Sequence, residues 1–203
     1  QITPENATSD QVKQTIYPVD KVRKTELLTH LITSNNWDQV LVFTRTKHAA
    51  DKLTKYLKDE GVKTKAIHGD KSQAVRSKAL ASFKQGKTSV LVATDIAARG
   101  VDISQLPHVV NVELPFVASD YIHRIGRTGR AGNVGTAYAL CSADEKSYIK
   151  TIQETINIQI SIEEDHPYPL DPKAKPIVHK KKGSKYKKGR KGEGSKKKKK
   201  RWY

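Results

Sequence analysis

Val40-Leu41-Val42-Phe43 is an unbroken apolar run, and Val90-Leu91-Val92-Ala93 is a second run of the same kind later in the chain. A strand with helices on both of its faces has no polar side, so such runs are typical of strands inside a parallel sheet. Longer stretches with apolar residues at helical spacing separate the runs. This alternation predicts an α/β fold in which helices cover both faces of a mostly parallel sheet.

The other elements follow the same alternation. Five or six strands are predicted, at residues 14–19, 40–43, 65–67, 89–93, 108–112 and 136–141. Helices are predicted at residues 21–34, 46–60, 72–83, 119–125 and 143–156. In the first of these helices, Val22, Leu27 and Leu31 recur at helical spacing and are expected in the core.

The positive charge of the chain lies almost wholly at one end. The 203 residues carry a net charge of +17, and residues 173–203 hold 16 of the 38 Lys and Arg residues but only one acid, Glu193. A Pro-rich and then Lys-rich segment buries too little apolar surface to offset the entropy of ordering it. We expect a linker remnant at 1–9, one domain at 10–165 and a disordered basic tail at 166–203. Since the chain begins with Gln1 and has no methionine, we also expect it to be a piece of a longer protein.

Several classes of protein are excluded by composition. The single cysteine, Cys141, rules out an internal disulfide framework or a multi-cysteine metal site, and its apolar surroundings indicate a core thiol. No apolar run approaches the length of about 20 residues that crosses a bilayer, and no signal-peptide pattern is present. We therefore expect neither a membrane partner nor a metal-binding residue in this chain.

Two short segments resemble nucleotide or metal sites without their full chemistry. Gly86-Lys87-Thr88 resembles the end of a phosphate-binding loop, but Ala81 stands where that loop needs a glycine. Ser142 and Glu145 match a helix capping box, which explains the Asp144-Glu145 pair better than a magnesium site does. The chain is not expected to carry its own nucleotide pocket.

The segment that does predict chemistry is His123-Arg124-Ile125-Gly126-Arg127-Thr128-Gly129-Arg130. Three arginines spaced three residues apart are not expected in a hydrophobic core. The glycines between them favour a close approach of the backbone. Guanidinium groups aimed into a cleft stabilise the charge that spreads over a transferring phosphoryl group. For Arg124 the alternative is a structural ion pair with a residue such as Asp95.

This segment resembles the last conserved motif of the DEAD-box RNA helicases. Three further segments resemble that family's motifs in the family's order, namely residues 41–46, residues 67–70 with Gln73 and Arg76, and residues 93–103. The resemblance covers about residues 10–165, and the lysine-rich extension resembles that of the bacterial RhlE type. The family's phosphate-binding loop and Asp-Glu-Ala-Asp segment belong to a first RecA-like domain, and this sequence contains neither. The chain therefore resembles the second RecA-like domain of such a helicase, followed by a basic tail.

The resemblance implies an ATP-dependent RNA helicase in which ATP and Mg²⁺ are held mainly by the absent first domain. Arg127 and Arg130 are then expected to reach the γ-phosphate, and Asp102 to accept a hydrogen bond from the ribose. His123 is expected to bridge to the first domain. This fragment alone is expected to be inactive.

The resemblance also implies an RNA surface at the carboxyl ends of the strands, where ligands of open α/β sheets bind. Contacts from hydroxyls, amides and guanidinium groups there would go to phosphate and sugar and would carry no sequence information. The residues expected to contact RNA are Thr44, Arg45, Gly69, Gln73, Arg76, Thr94, Arg99 and Gly100.

The tail is expected to be a second RNA contact, with affinity that falls steeply with salt because it neutralises phosphates. Its contacting residues are expected to be Lys196, Lys197, Lys198, Lys199, Lys200, Arg201 and Trp202. A ribosome or ribonucleoprotein is a further partner that suits such a tail. The rival interpretation of the lysine run is a nuclear localisation signal.

Two other functions stay open at this point. A non-enzymatic basic module that binds RNA or ribosomes predicts RNA binding without ATP dependence, and a related DNA helicase predicts stimulation by DNA. The expected location is the bacterial cytoplasm, with the nucleus or nucleolus as the alternative.

Overall fold

The computed structural model describes residues 12–99, 101, 103, 105–129, 135–171 and 173. Seven strands form one sheet: β1 (Val12–Pro18), β2 (Val40–Phe43), β3 (Thr64–Ile67), β4 (Val90–Ala93), β5 (His108–Asn111), β6 (Gly135–Cys141) and β7 (Ser161–Ile162). Their order across the sheet is β3-β4-β2-β5-β6-β1-β7. Every pairing between these strands is parallel, so all of their carboxyl ends lie at one edge.

In the described part of the chain, six α-helices connect the strands: α1 (Lys24–Ser34), α2 (Lys47–Asp59), α3 (Gln73–Lys84), α4 (Asp95–Ala98), α5 (Ala118–Ile125) and α6 (Lys146–Ile156). Short 3₁₀ turns at Lys21–Arg23 and Ala143–Glu145 precede α1 and α6. Side chains cap two of the helices at their first turn. The Thr46 hydroxyl accepts a hydrogen bond from the Ala49 amide at 3.1 Å, and the Ser72 hydroxyl accepts one from the Val75 amide at 3.4 Å.

The helices cover both faces of the sheet. Successive residues of a buried strand point to opposite sides, so each strand packs against helices on both faces. Val40 and Val42 of β2 pack with α1 and α2, whereas Leu41 and Phe43 pack with α3 on the other face. Helices α5 and α6 pack on β1 and β6, on the same face as α3. The predicted three-layer α/β fold with a parallel sheet is confirmed.

Two sequence expectations differ from the structure for local reasons. Val22 is 81% exposed rather than buried, because it lies in the 3₁₀ turn before α1 and not in the helix itself. Residues 166–171, placed in the tail by composition, pack on the domain: the His166 ring lies 3.0 Å from the Pro18 carbonyl, and Arg23 lies over the Tyr168 ring. The predicted linker at 1–9 and residues 174–203 lie outside the described residues.

The burial of Cys141 and the position of Gly86-Lys87-Thr88 agree with the sequence analysis. Cys141 is a free, buried thiol, and burial raises its pKa to about 12. Gly86 ends the turn between α3 and β4, so Gly86-Lys87-Thr88 lies between a helix and a strand, in the order opposite to that of a phosphate-binding loop. None of the helices in the described part of the chain is long and apolar enough to span a bilayer.

The capping box predicted at Ser142 and Glu145 is present, and its neighbour Asp144 ties two distant segments together. Lys21 Nζ lies 2.8 Å from Asp144 Oδ2, which joins the turn before α1 to the turn before α6. Burial alone would raise the pKa of Asp144, but hydrogen bonds from Lys21 and Ser142 outweigh it and hold that pKa at about 2. The ionised carboxylate therefore stabilises the folded state.

We predict an acid-sensitive contribution to stability from Asp144. Its pKa is lower in the folded chain than its ordinary value of 3.8, so the contribution is complete above that pH and is lost as the pH falls toward about 2. Chemical denaturation should show that Asp144→Asn costs about 1–2 kcal/mol at pH 6 and much less at pH 2. Asp59→Asn, at an exposed carboxylate, should cost little at either pH. A cost for Asp144→Asn that is the same at both pH values would contradict this assignment.

Candidate functional site

The carboxyl edge of the sheet collects polar residues from four adjacent strands. Thr44 follows β2, Gly69 comes two residues after β3, Thr94 follows β4, and Glu113 comes two residues after β5. Because these strands are parallel neighbours, the segments meet at one edge. This edge is where ligands of open α/β sheets bind.

Arg124 is a fully buried charged residue at this edge, with 1% of its surface exposed. Its guanidinium holds Asp95 in two parallel contacts, Nε to Oδ1 at 2.6 Å and Nη2 to Oδ2 at 2.8 Å. Nη1 donates to Asn111 Oδ1 at 2.9 Å and to the Glu113 carbonyl at 2.7 Å. The guanidinium carbon also lies 5.0 Å from the centre of the Phe43 ring. The ion pair with Asp95 offered by the sequence analysis is confirmed.

These contacts fasten α5 to the strand ends. A buried charge is tolerated only when it is paired and hydrogen-bonded, so Arg124 requires Asp95, Asn111 and Glu113 to stay in place together. These partners follow β4 or lie at the end of β5, whereas Arg124 belongs to α5. The guanidinium thereby fixes the position of α5 relative to both strands.

Two other members of the arginine segment, His123 and Arg127, lie toward the solvent. His123 is exposed, and Arg127 is half-buried, with Nη1 donating to the Val101 carbonyl at 3.2 Å. Both line one small concavity with Asp95, Arg99 and Asp120. The sequence therefore brings His123 and Arg127 together beside the anchored Arg124. Asp102 and Arg130, expected to contact ribose and γ-phosphate, lie outside the described residues.

The residues expected to bind RNA fall into two groups by exposure. Gly69 and Gln73 are exposed, and a Cβ built on Gly69 would meet no atom within 4 Å. Arg76 donates to Gln73 Oε1 at 3.2 Å and to the Ala97 carbonyl at 3.4 Å, which links α3 to α4. Thr44 and Thr94 are buried, with 1% and 8% of their surfaces exposed.

Arg99 and Arg45 are each engaged by carboxylates. Arg99 is exposed and pairs through Nη2 with Asp120. Arg45 is mostly buried, with Nη2 at 3.4 Å from Glu145 Oε1 and 3.8 Å from Glu113 Oε1, and its guanidinium lies over the Phe116 ring. Gly100 and the tail residues Lys196, Lys197, Lys198, Lys199, Lys200, Arg201 and Trp202 lie outside the described residues.

Sequence reasoning missed the buried pair of Lys24 and Glu145. Lys24 Nζ contacts Glu145 Oε2 and donates to the Val112 carbonyl at 2.8 Å, while Glu145 Oε1 accepts from the Leu114 amide at 3.1 Å. Burial lowers the pKa of Lys24, and the charge of Glu145 opposes that shift. The capping box was the only sequence signal for Glu145, and nothing in the sequence distinguishes Lys24 from a surface lysine.

No group of three or more His, Cys, Asp and Glu side chains is arranged to hold a metal ion within the described ranges.

We predict that Arg124 is required for folding. Arg124→Ala leaves Asp95 without its partner and opens a cavity, so thermal or chemical unfolding of the chain should show a loss of about 3–5 kcal/mol. The matched control is Arg23→Ala, which breaks a half-exposed pair with Glu26 at 3.1 Å and a contact with the Tyr168 ring, and should cost about 1 kcal/mol. Equal losses in the two variants would show that the buried contacts do not have the assigned role.

The comparison with known proteins identifies the family. Residues 23–132 match the family described as Helicase conserved C-terminal domain. The chain is 42% identical over 158 residues to the ATP-dependent RNA helicase RhlB of Pseudomonas syringae pv. tomato. The matched region covers 78% of this chain and 40% of that protein. The chain thus spans well under half the length of this curated relative.

Solved structures of DEAD-box proteins have the same fold. E. coli SrmB, bound to the regulator of ribonuclease activity A, superimposes with a TM-score of 0.74 at 33% identity, covering 82% of this chain and 98% of that one. S. cerevisiae Dbp5, bound to RNA and ADP BeF3, gives a TM-score of 0.73 at 30% identity, covering 80% of this chain and 44% of that one. The chain belongs to the helicase conserved C-terminal domain family, and it is a second RecA-like domain of the DEAD-box type.

Proposed function

We propose that this chain is the second motor half of an ATP-dependent RNA helicase, which acts together with a first RecA-like domain. In this proposal ATP and Mg²⁺ are bound mainly by the first domain, and this chain closes over the nucleotide when RNA is also bound. The observation that carries the proposal is the contrast within one segment: Arg124 is locked into the domain, while His123 and Arg127 line a concavity beside it.

Arg127 is the proposed phosphate-contacting residue among the described ones. A guanidinium carries five donors in a planar fork that matches phosphate oxygens and remains charged at any physiological pH. In this structure Arg127 Nη1 donates to the Val101 carbonyl at 3.2 Å. Arg127 lies three residues after Arg124 and directly after the residue that caps α5, so the anchored helix determines its position. Arg130 and Asp102 are proposed to complete the contacts to phosphate and ribose.

The exposed part of the carboxyl edge is the proposed RNA surface. Gly69, Gln73 and Arg76 lie together at the end of β3 and the start of α3, where the backbone is open to solvent. Contacts there go to phosphate and sugar, and the 2′-hydroxyl is the group that would distinguish RNA from DNA. ATP and RNA both favour the closed arrangement of the two domains, which couples hydrolysis to local separation of RNA strands.

We predict that Arg127 supports hydrolysis more than RNA binding. The chain should be joined to the first RecA-like domain of the RhlB relative, and RNA-stimulated ATPase activity measured for Arg127→Ala. Loss of this guanidinium should lower the rate on the order of 10³-fold, and Arg127→Lys should restore little because it lacks the planar fork. RNA affinity should remain close to that of the unchanged protein. Equal loss of RNA binding and hydrolysis would contradict the role of Arg127 at the phosphate.

The same fusion tests the alternative functions. A non-enzymatic RNA-binding module should bind RNA with no dependence on ATP, and a DNA helicase should be stimulated by single-stranded DNA at least as well as by RNA. We expect stimulation by RNA and a clear preference for it over DNA.

We also predict that Gly69 is needed for RNA and not for the fold. The Gly69 backbone is not in the left-handed region and a Cβ there meets no atom, so Gly69→Ala should leave thermal stability unchanged. A methyl group at an exposed backbone contact should nevertheless weaken binding of single-stranded RNA in a fluorescence assay. Gly86 is the matched control, because it also has open space but has a φ of +70°. Gly86→Ala should therefore cost about 1 kcal/mol of stability and leave RNA affinity unchanged. Unchanged RNA affinity in Gly69→Ala would remove Gly69 from the proposed surface.

A further inference from the structure

A basic groove lies away from the arginine concavity, at the free edge of the sheet. It has a volume of about 400 Å³ and is formed by α2 on one side, α3 and the residues before it on the other, and β3 between them. β3 is the outermost strand, because it pairs with β4 only. We call this feature the lysine groove.

The charge of the lysine groove is one-sided. Its cations are Lys55, Lys58, Lys65, Lys71 and Lys78. Asp51 is the only acid among the described residues that line it, and this carboxylate already lies 3.0 Å from Lys71 Nζ and 3.0 Å from His68 Nε2. Both sides of the groove therefore attract negative charge.

The floor of the lysine groove is apolar. Ala66 and Ala79 line it, together with Val75, which is 49% exposed and belongs to the large hydrophobic residues left at the surface. Thr54 also lines the groove, with 7% of its surface exposed, and its hydroxyl has no hydrogen-bond partner among the described residues. A ligand that fits must supply apolar surface as well as negative charge.

The backbone of β3 favours an extended ligand. The Val90 amide donates to the Lys63 carbonyl at 3.1 Å, and the Thr94 amide donates to the Ile67 carbonyl at 3.4 Å. Successive residues of a strand direct their backbone N–H and C=O groups to opposite sides. The backbone groups of Lys65 therefore also point to β4, and those of Ala66 point to the free edge of the sheet. Ala66 is the strand residue on the floor of the groove, so an extended chain can lie along it.

We propose that the lysine groove binds an extended acidic segment of a partner protein, which rests an aliphatic side chain on the apolar floor and pairs its carboxylates with the lysines. RNA is the less suitable polyanion because phosphate and sugar would leave the apolar floor uncovered, and none of the described residues that line the groove is an aromatic on which a base could stack. A second copy of this chain is also unsuitable, because two lysine-bearing edges repel each other. This inference does not depend on the proposed helicase function.

The test uses the whole chain and a fluorescein-labelled peptide, Asp-Glu-Leu-Glu-Val-Glu-Leu-Asp-Glu, in an anisotropy assay at low salt. The groove variant carries Lys65→Glu and Lys78→Glu. The matched control carries Lys13→Glu and Lys150→Glu, two exposed lysines on β1 and α6, so that both variants change the net charge equally. Non-specific attraction to the basic tail is then the same in both.

The groove variant should weaken peptide binding about tenfold or more, because attractive contacts become repulsive, whereas the remote variant should change it less than about twofold. Val75→Ser, at the exposed residue of the apolar floor, should leave thermal stability unchanged and weaken the peptide about two- to tenfold. A peptide with Gln and Asn in place of its acids should not bind.

Three results would overturn the proposal. One is the absence of measurable binding of the acidic peptide to the unchanged chain. Another is equal weakening by the groove and remote variants, which would assign binding to overall charge. The last is a 12-nucleotide uridine RNA that loses affinity in the groove variant alone while the peptide does not, which would make RNA the occupant.

Discussion

The guanidinium of Arg124 is the constraint on which the arrangement of the carboxyl edge depends. A cation with 1% of its surface exposed must have its charge and its donors satisfied inside the protein, and here Asp95, Asn111 and the Glu113 carbonyl do this together. Those groups belong to three successive segments of the chain, so they can satisfy Arg124 only when β4, β5 and α5 are correctly placed. Hydrogen-bonded networks of this kind favour one arrangement, because a partly satisfied alternative is costly.

The rest of the edge is fixed in a similar way. Glu145 holds Lys24 and lies 3.4 Å from Arg45, which joins α1, the end of β2 and the turn before α6. Apolar packing forms the three layers below, whereas ion pairs and hydrogen bonds fix the surface where ligands of such sheets bind. This division leaves His123 and Gly69 exposed and Arg127 half-buried at the edge, as their proposed contacts with nucleotide and RNA require.

Much of the fold could be predicted because buried parallel strands leave a clear pattern in sequence. The four apolar residues of β2 have both faces covered by helices, and the predicted bounds 40–43 are those observed. The four-residue helix α4 and the two-residue strand β7 could not be predicted, since neither is long enough to show a period. The periodic pattern predicts Val22 in the core, because the pattern does not reveal the 3₁₀ turn that changes the direction of this side chain.

The candidate site was predictable in part for the same reason. Motif spacing identified the segment of Arg124 and Arg127 and offered Asp95 as a partner, but it could not distinguish a buried arginine from an exposed one. The direction of Arg45 depends on Glu113 and Glu145, which come from distant parts of the chain and approach it only in the folded sheet. Local sequence carries no record of such contacts, and they determine which arginines remain available to a ligand.

The central claim is that Arg124 and Asp95 act as one unit, and a double-mutant cycle measures this most directly. The free energy of unfolding would be compared for the unchanged chain, Arg124→Ala, Asp95→Ala and the double variant. The account predicts a coupling energy of about 2–3 kcal/mol, because the first substitution already removes most of what the second can remove. Additive effects within about 0.5 kcal/mol would show that the two side chains stabilise the fold independently and would contradict the account.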